Sequence, residues 1–156
     1  MSKSSKSLDQ LTPKLTVQVK RLTKDAKLPS QEVRDIPDAA WDLYADESIR
    51  IVGLGKMPVK TGVAFSIPDG WYGNIRNRSG NAVKTPLMVD AGIIDPGYRG
   101  EIKVVLVNHS EYPYDVNKGD KIAQILFGRI PNVEFVEVQE LTTSDRGDKG
   151  FGSTDK

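Results

Sequence analysis

The stretch VDAGIIDPGYRGEIKVV, residues 89–105, carries the densest signal in the chain. Apolar runs flank the turn letters DPGYRG, which reads as a β-hairpin with Asp95 at its tip. With the turn centred between Gly97 and Tyr98, facing residues have numbers that sum to 195, so Gly92 opposes Lys103. A glycine inside a strand lets another group approach the backbone closely. A planar base could then slot between the strands and be read by main-chain groups, with the Asp95 carboxylate in reach of the same ligand. The letters also have a plain structural reading, in which Asp95 caps an ordinary turn and Tyr98 packs.

Outward from the hairpin, alternation of apolar and polar residues continues along the chain. LTVQVKRL (15–22), SIRIVGL (48–54), VKTGVAFSI (59–67), WYGNIRN (71–77), IKVVLVN (102–108), KIAQILFGRI (121–130) and VEFVEVQEL (133–141) all read as strands. PDG (68–70), DPG (95–97), NKGD (117–120) and Pro131-Asn132 supply the turns. Many short strands at this spacing predict an all-β sandwich or jelly roll. One short helix is expected after Ser79, over NAVK (81–84). The Ser- and Lys-rich residues 1–14 read as a disordered arm, 15–141 as the domain, and 142–156 as a mobile tail outside the core.

Composition narrows the chemistry. The 156 residues suit one domain. Lys and Arg number 22 against 21 Asp and Glu, so nothing points to nucleic acid or a membrane surface as partner. The absence of cysteine excludes disulfides and thiolate chemistry, and a single histidine, His109, excludes a multi-histidine metal site. The polar start MSKSSKSLDQ lacks the apolar stretch of a signal peptide, and no run approaches the ~20 residues of a membrane span. A soluble, cytoplasmic protein is the expectation.

Four further segments carry chemistry. In NRSG (77–80), Arg78 offers a fork of donors suited to phosphate, and Ser79 with the N–H groups of Gly80 and Asn81 could line an anion site. The plain alternative is a capping serine beside a solvated arginine. In GDKIAQILF (119–127), Gln124 falls between apolar residues, where an amide needs a partner unless it faces solvent. DAAWDLYA (38–45) sets two acids four residues apart, as a cation site or a surface turn. The tail RGDKGFGSTDK (146–156) places Arg146, Phe151 and Ser153 among glycines. Glycine loses the most backbone entropy on ordering, so the segment reads as disordered on its own, which leaves the purpose of its aromatic and guanidinium groups open.

In order, DAAWDL, RSG, AGIIDPGYRGEI, GDKIAQILF and RGDKGFGST resemble the five motifs of the trimeric dUTPases, from about residue 15 to 154. The resemblance implies a jelly-roll subunit of the β-clip type, a homotrimer with active sites shared between subunits, Mg²⁺, and hydrolysis of dUTP to dUMP and pyrophosphate. It implies that Asp95 activates the attacking water and that Tyr98 packs under the deoxyribose. The main chain of Gly92, Ile93, Ile94 and Lys103 would read uracil. Arg78, Ser79, Gly80 and Gln124 would bind phosphate, and Asp42 would assist the metal through water. Arg146, Gly152 and Ser153 would reach phosphate oxygens, with Phe151 stacked on the base. Departures are Ala40 and Lys149 at usual glycines, Asp155 at another, and Asn77 where proline is common.

The neighbouring dCTP deaminases share the IDPG hairpin but carry a catalytic glutamate where this chain has Val105. Valine moves no protons, which favours the hydrolase. A catalytically silent regulatory protein on the same fold is the other alternative, against which the retention of Asp95 argues.

Overall fold

The computed structural model describes residues 14–32 and 34–148. Among them lie ten strands: β1 Gln18–Arg21, β2 Trp41–Tyr44, β3 Ile49–Ile51, β4 Lys56–Ser66, β5 Trp71–Arg76, β6 Leu87–Val89, β7 Ile93–Ile94, β8 Glu101–Asn108, β9 Tyr114–Val116 and β10 Lys121–Arg129. The one helix among the described residues, α1, covers Ser79–Lys84.

The strands form two antiparallel four-stranded sheets, ordered β1-β4-β8-β6 and β2-β10-β5-β7, with β3 and β9 as a separate pair. Alternation in β8 shows how the sequence builds this. Ile102, Val104, Leu106 and Asn108 point inward and are buried, while Lys103 faces out. Val59, Val63 and Phe65 of β4, Leu43 of β2, Ile75 of β5 and Ile122 and Ile125 of β10 join them in one apolar core shared by both sheets. The buried Asn108 is satisfied: its amide donates to the carbonyls of Ile51, Val52 and Tyr112, and its Oδ1 accepts from Ser110. The register of β4 on β8 shifts between Lys60 and Ala64, around Gly62 at φ +66°. A Cβ there would run into Asp46 and Ala26, so only glycine fits this bulge.

Two expected strands differ from their reading. All four residues of β1 are exposed on the sheet edge, so it is not half-buried. Residues 133–141 are not a strand. Their pattern is right, but no described strand pairs with them, and Phe135 and Leu141 stand 95% and 87% exposed. In the other direction, DAAWDLYA holds a strand where a surface turn was one of the readings, because β2 pairs with β10. The loose arm expected over 1–14 lies almost wholly outside the described residues.

Candidate active site

Seven of the site residues named from sequence line two separate clefts. The first, of about 430 Å³, is lined by Asp42, Arg78, Ser79, Gly80 and Gln124, together with Ser30, Gln31, Glu32, Arg34, Asp38, Ala39 and Ala40. Its floor is β2 and β10, where Asp42 stands in register with Gln124, which in turn faces Arg76 of β5. Arg78 follows β5 and caps α1 with extended backbone, making no side-chain cap bond. It is half-buried and paired: its Nε donates to Asp42 Oδ1 at 2.6 Å. Lys121 Nζ lies 2.7 Å from the other oxygen, Asp42 Oδ2. The Lys121 ammonium is held above its ordinary pKa by the hydrogen bond and charge of Asp42.

One carboxylate between two cations fixes the guanidinium by its Nε edge. Gln124 finds the partner its position demanded, donating to the Asn77 carbonyl at 2.8 Å. A Cβ built on Gly80 would meet nothing within 4 Å, so open space borders the loop there. Lys121 was missed from sequence, although the NKGD turn places it at the first position of β10 beside the cleft floor.

Among the described residues, no group of three or more His, Asp or Glu could hold a metal ion. Both Asp42 oxygens are occupied by cations. Glu32, Asp38 and Asp42 line the cleft without forming an all-protein cage, so a Mg²⁺ there would need ligand phosphates for most of its oxygens.

The second cleft, of about 480 Å³, opens at the root of the hairpin and is lined by Asn74, Arg76, Asn77, Val89, Ala91, Gly92 and Ile93 among others. The predicted register holds at the base, where Leu87, Met88 and Val89 face Asn108, Val107 and Leu106, each pair summing to 195. The expected ladder stops after the Asp90 N–H reaches the Val105 carbonyl. Ala91 then adopts φ +64°, a left-handed conformation that costs a non-glycine residue roughly 1–3 kcal/mol. The Gly92 carbonyl accepts from Ile75 N–H at 2.8 Å, and β7 pairs with β5 in the other sheet.

Gly92 and Lys103 therefore do not pair; Lys103 faces Lys60 of β4. The cause is the open edge of β5, which recruits β7 away from β8. A Cβ at Gly92 would collide with the Ile75 carbonyl oxygen, so glycine is required for the crossing. The result is a parted hairpin whose arms belong to different sheets.

At the tip, the Asp95 carbonyl, not its side chain, closes the turn by accepting from Tyr98 N–H. The Asp95 carboxylate is exposed and has no hydrogen-bond or ion-pair partner among the described residues. The Tyr98 hydroxyl donates to the Glu101 carbonyl at 3.0 Å. Its ring lies so close over Gly100 that a Cβ there would strike it.

The two clefts share no lining residue, and Asp95, Tyr98 and Lys103 line neither. Arg146 sits in an exposed segment beyond the strands. Phe151, Gly152 and Ser153 lie outside the described residues. No described helix is long and apolar enough to cross a membrane.

This arrangement has close counterparts. A Candida albicans deoxyuridine 5'-triphosphate nucleotidohydrolase is 44% identical over 120 residues, covering 76% of each chain. The Staphylococcus bacteriophage 80alpha dUTPase, solved with dUPNHPP, superposes with a TM-score of 0.82 at 31% identity, covering 90% of this chain and 99% of its own. A dUTPase variant of S. aureus phage phi11, described with a structural Mg(II) ion, aligns with a TM-score of 0.73 at 30% identity over 80% and 97% of the two chains. The dUTPase family pattern matches residues 26–155. That span takes in the arginine loop, the parted hairpin and both clefts, and with the jelly roll they stand on it shows that the chain belongs to the dUTPase family.

Proposed function

We propose that this protein hydrolyses dUTP to dUMP and pyrophosphate. The observation that carries the reading is the Asp95 carboxylate, unpartnered at the tip of a hairpin whose arms have parted. A base entering the gap meets main-chain groups from Gly92 to Ile94 on one arm and at Lys103 on the other. Tyr98, pinned by its hydroxyl, forms the floor under the sugar and crowds a 2′-hydroxyl. Asp95 takes a proton from water, which attacks the α-phosphorus, and the α–β bridging oxygen leaves with pyrophosphate. Arg78, Gln124 and Arg146 stabilise the charge as it shifts. Bound Mg²⁺ supplies charge neutralisation on the phosphate oxygens, with Asp42 assisting through water.

The working unit is a homotrimer with sites completed between subunits. The separation of phosphate-type residues and hairpin into unconnected clefts supports this, since one chain does not bring them together. So does the strand-like segment 133–141, which finds no partner strand among the described residues. The remaining tail, 142–156, acts as the lid, with Phe151 stacking on uracil and Gly152 and Ser153 contacting phosphate.

The test is purified protein with Mg²⁺ and each nucleoside triphosphate in turn, following pyrophosphate and ammonia. A site that hydrogen-bonds its substrate rejects the wrong one by ~10⁴-fold or more, so dUTP alone is cleaved while UTP, dTTP and dCTP are not. Turnover of dCTP at a comparable rate, or release of ammonia, favours a deaminase and overturns the proposal.

A further inference from the structure

We infer that Asn77 is a positioning residue that ties the root of the hairpin to the phosphate cleft of the same chain. The inference rests on the dUTPase reading for its kinetic consequences only. Strand β6 is an edge of its sheet. In an antiparallel pair, successive N–H groups point alternately toward the partner and away from it. Asp90 N–H goes to Val105 on β8, so Val89 N–H points off the edge. Its acceptor is the Asn77 Oδ1, at 2.6 Å. The amide nitrogen of the same side chain lies 3.6 Å from the Met88 sulfur, which fixes its orientation. The main-chain carbonyl of Asn77 meanwhile accepts from Gln124, which lines the phosphate cleft.

One residue, at the exit of β5 and just before Arg78, thus holds two places at once. Its side chain holds the hairpin one step below the point where the arms part. Its backbone holds the glutamine of the phosphate cleft. A proline here would keep the carbonyl but have no side-chain amide to offer Val89. The side-chain tie sets the hairpin gap relative to the arginine loop.

The experiment compares Asn77→Ala with Asn77→Asp, which keeps an oxygen facing Val89. Amide exchange at Val89, read by NMR or mass spectrometry, is expected to quicken about tenfold or more in Asn77→Ala as the edge opens locally, and to return toward the native rate in Asn77→Asp. The ratio of kcat/KM for dUTP over dCTP is expected to fall about tenfold in Asn77→Ala, through KM rather than kcat, and to be rescued in Asn77→Asp. Native discrimination and KM in Asn77→Ala, or failure of Asn77→Asp to restore either readout, overturns the inference. Should the native protein not cleave dUTP at all, the exchange measurement still decides: an unchanged Val89 rate in Asn77→Ala removes the tie.

Discussion

The arginine cleft and the hairpin tip are built on opposite plans, and two aspartates show it. Asp42 has a side chain 15% exposed, with a cation on each oxygen. Asp95 stands in water with no partner among the described residues. In the first cleft the charged groups are already engaged before any ligand arrives, so they need little reorganisation to meet phosphate. In the hairpin the main chain is fixed while the reactive group is left unneutralised. A carboxylate locked into an ion pair has its lone pairs spoken for and makes a weak base. The same residue type thus serves as a brace in one place and, in the proposed mechanism, as a reagent in the other.

The largest effect that could break this picture comes from mixing chains. Asp95→Asn protein and protein lacking residues 145–156 are each expected to be inactive. Co-refolded, they should regain dUTP turnover, because a mixed trimer can combine Asp95 from one chain with a tail from another. Extended, at ~3.3 Å per residue, the tail from Thr142 spans up to ~50 Å, enough to reach a neighbouring subunit. Mixed trimers confirmed by mass but lacking activity would show that base and tail belong to one chain.

Next in size, Asp95→Asn alone should lower kcat by at least ~10²-fold, the lower range for general-base catalysis. Affinity for a non-hydrolysable dUTP analogue should hardly change. Asp42→Asn should do the reverse, raising KM about fivefold with a smaller effect on kcat, since a guanidinium released from its charged brace loses geometry rather than chemistry. Equal effects of the two substitutions on kcat would erase the distinction between brace and reagent.

The smallest effect concerns stability. Asp46 is braced too, by Thr23 and Lys118, but away from both clefts. Burial pushes its pKa up, and the Thr23 hydrogen bond and Lys118 more than offset this, leaving it below the ordinary value. A depressed acid contributes stability above its unfolded pKa of about 3.9 and loses it as pH falls through the folded value. The melting-temperature advantage of the native protein over Asp46→Asn should therefore be present at pH 6 and shrink below about pH 4. An advantage independent of pH would assign it to packing.

Much of this was legible in the letters, and the failures share a cause. The register of Leu87–Val89 on Leu106–Asn108 follows from alternation and the position of the DPG turn. Its break at Ala91 does not, because the edge that captures Ile93 and Ile94 belongs to β5, some twenty residues away. Residues 133–141 have a strand pattern, but a pattern cannot say whether the chain also supplies a partner strand. Gln124 was marked as an amide in need of a partner, and the Asn77 carbonyl that meets the need is visible only after folding. Local periodicity is written in neighbours; edges and ties are written in residues far apart.

The exposed Phe135 carries one more consequence, for handling the protein in a test tube. An aromatic ring and several aliphatic side chains in water are a standing cost to the isolated chain, one that association can relieve. If the proposed assembly relieves it, concentration becomes a hidden variable. Specific activity should then decline on dilution at fixed substrate, and melting temperatures measured at different protein concentrations should not agree. Rate constants for this enzyme will be comparable between laboratories only when the amount of protein in the cuvette is stated with them.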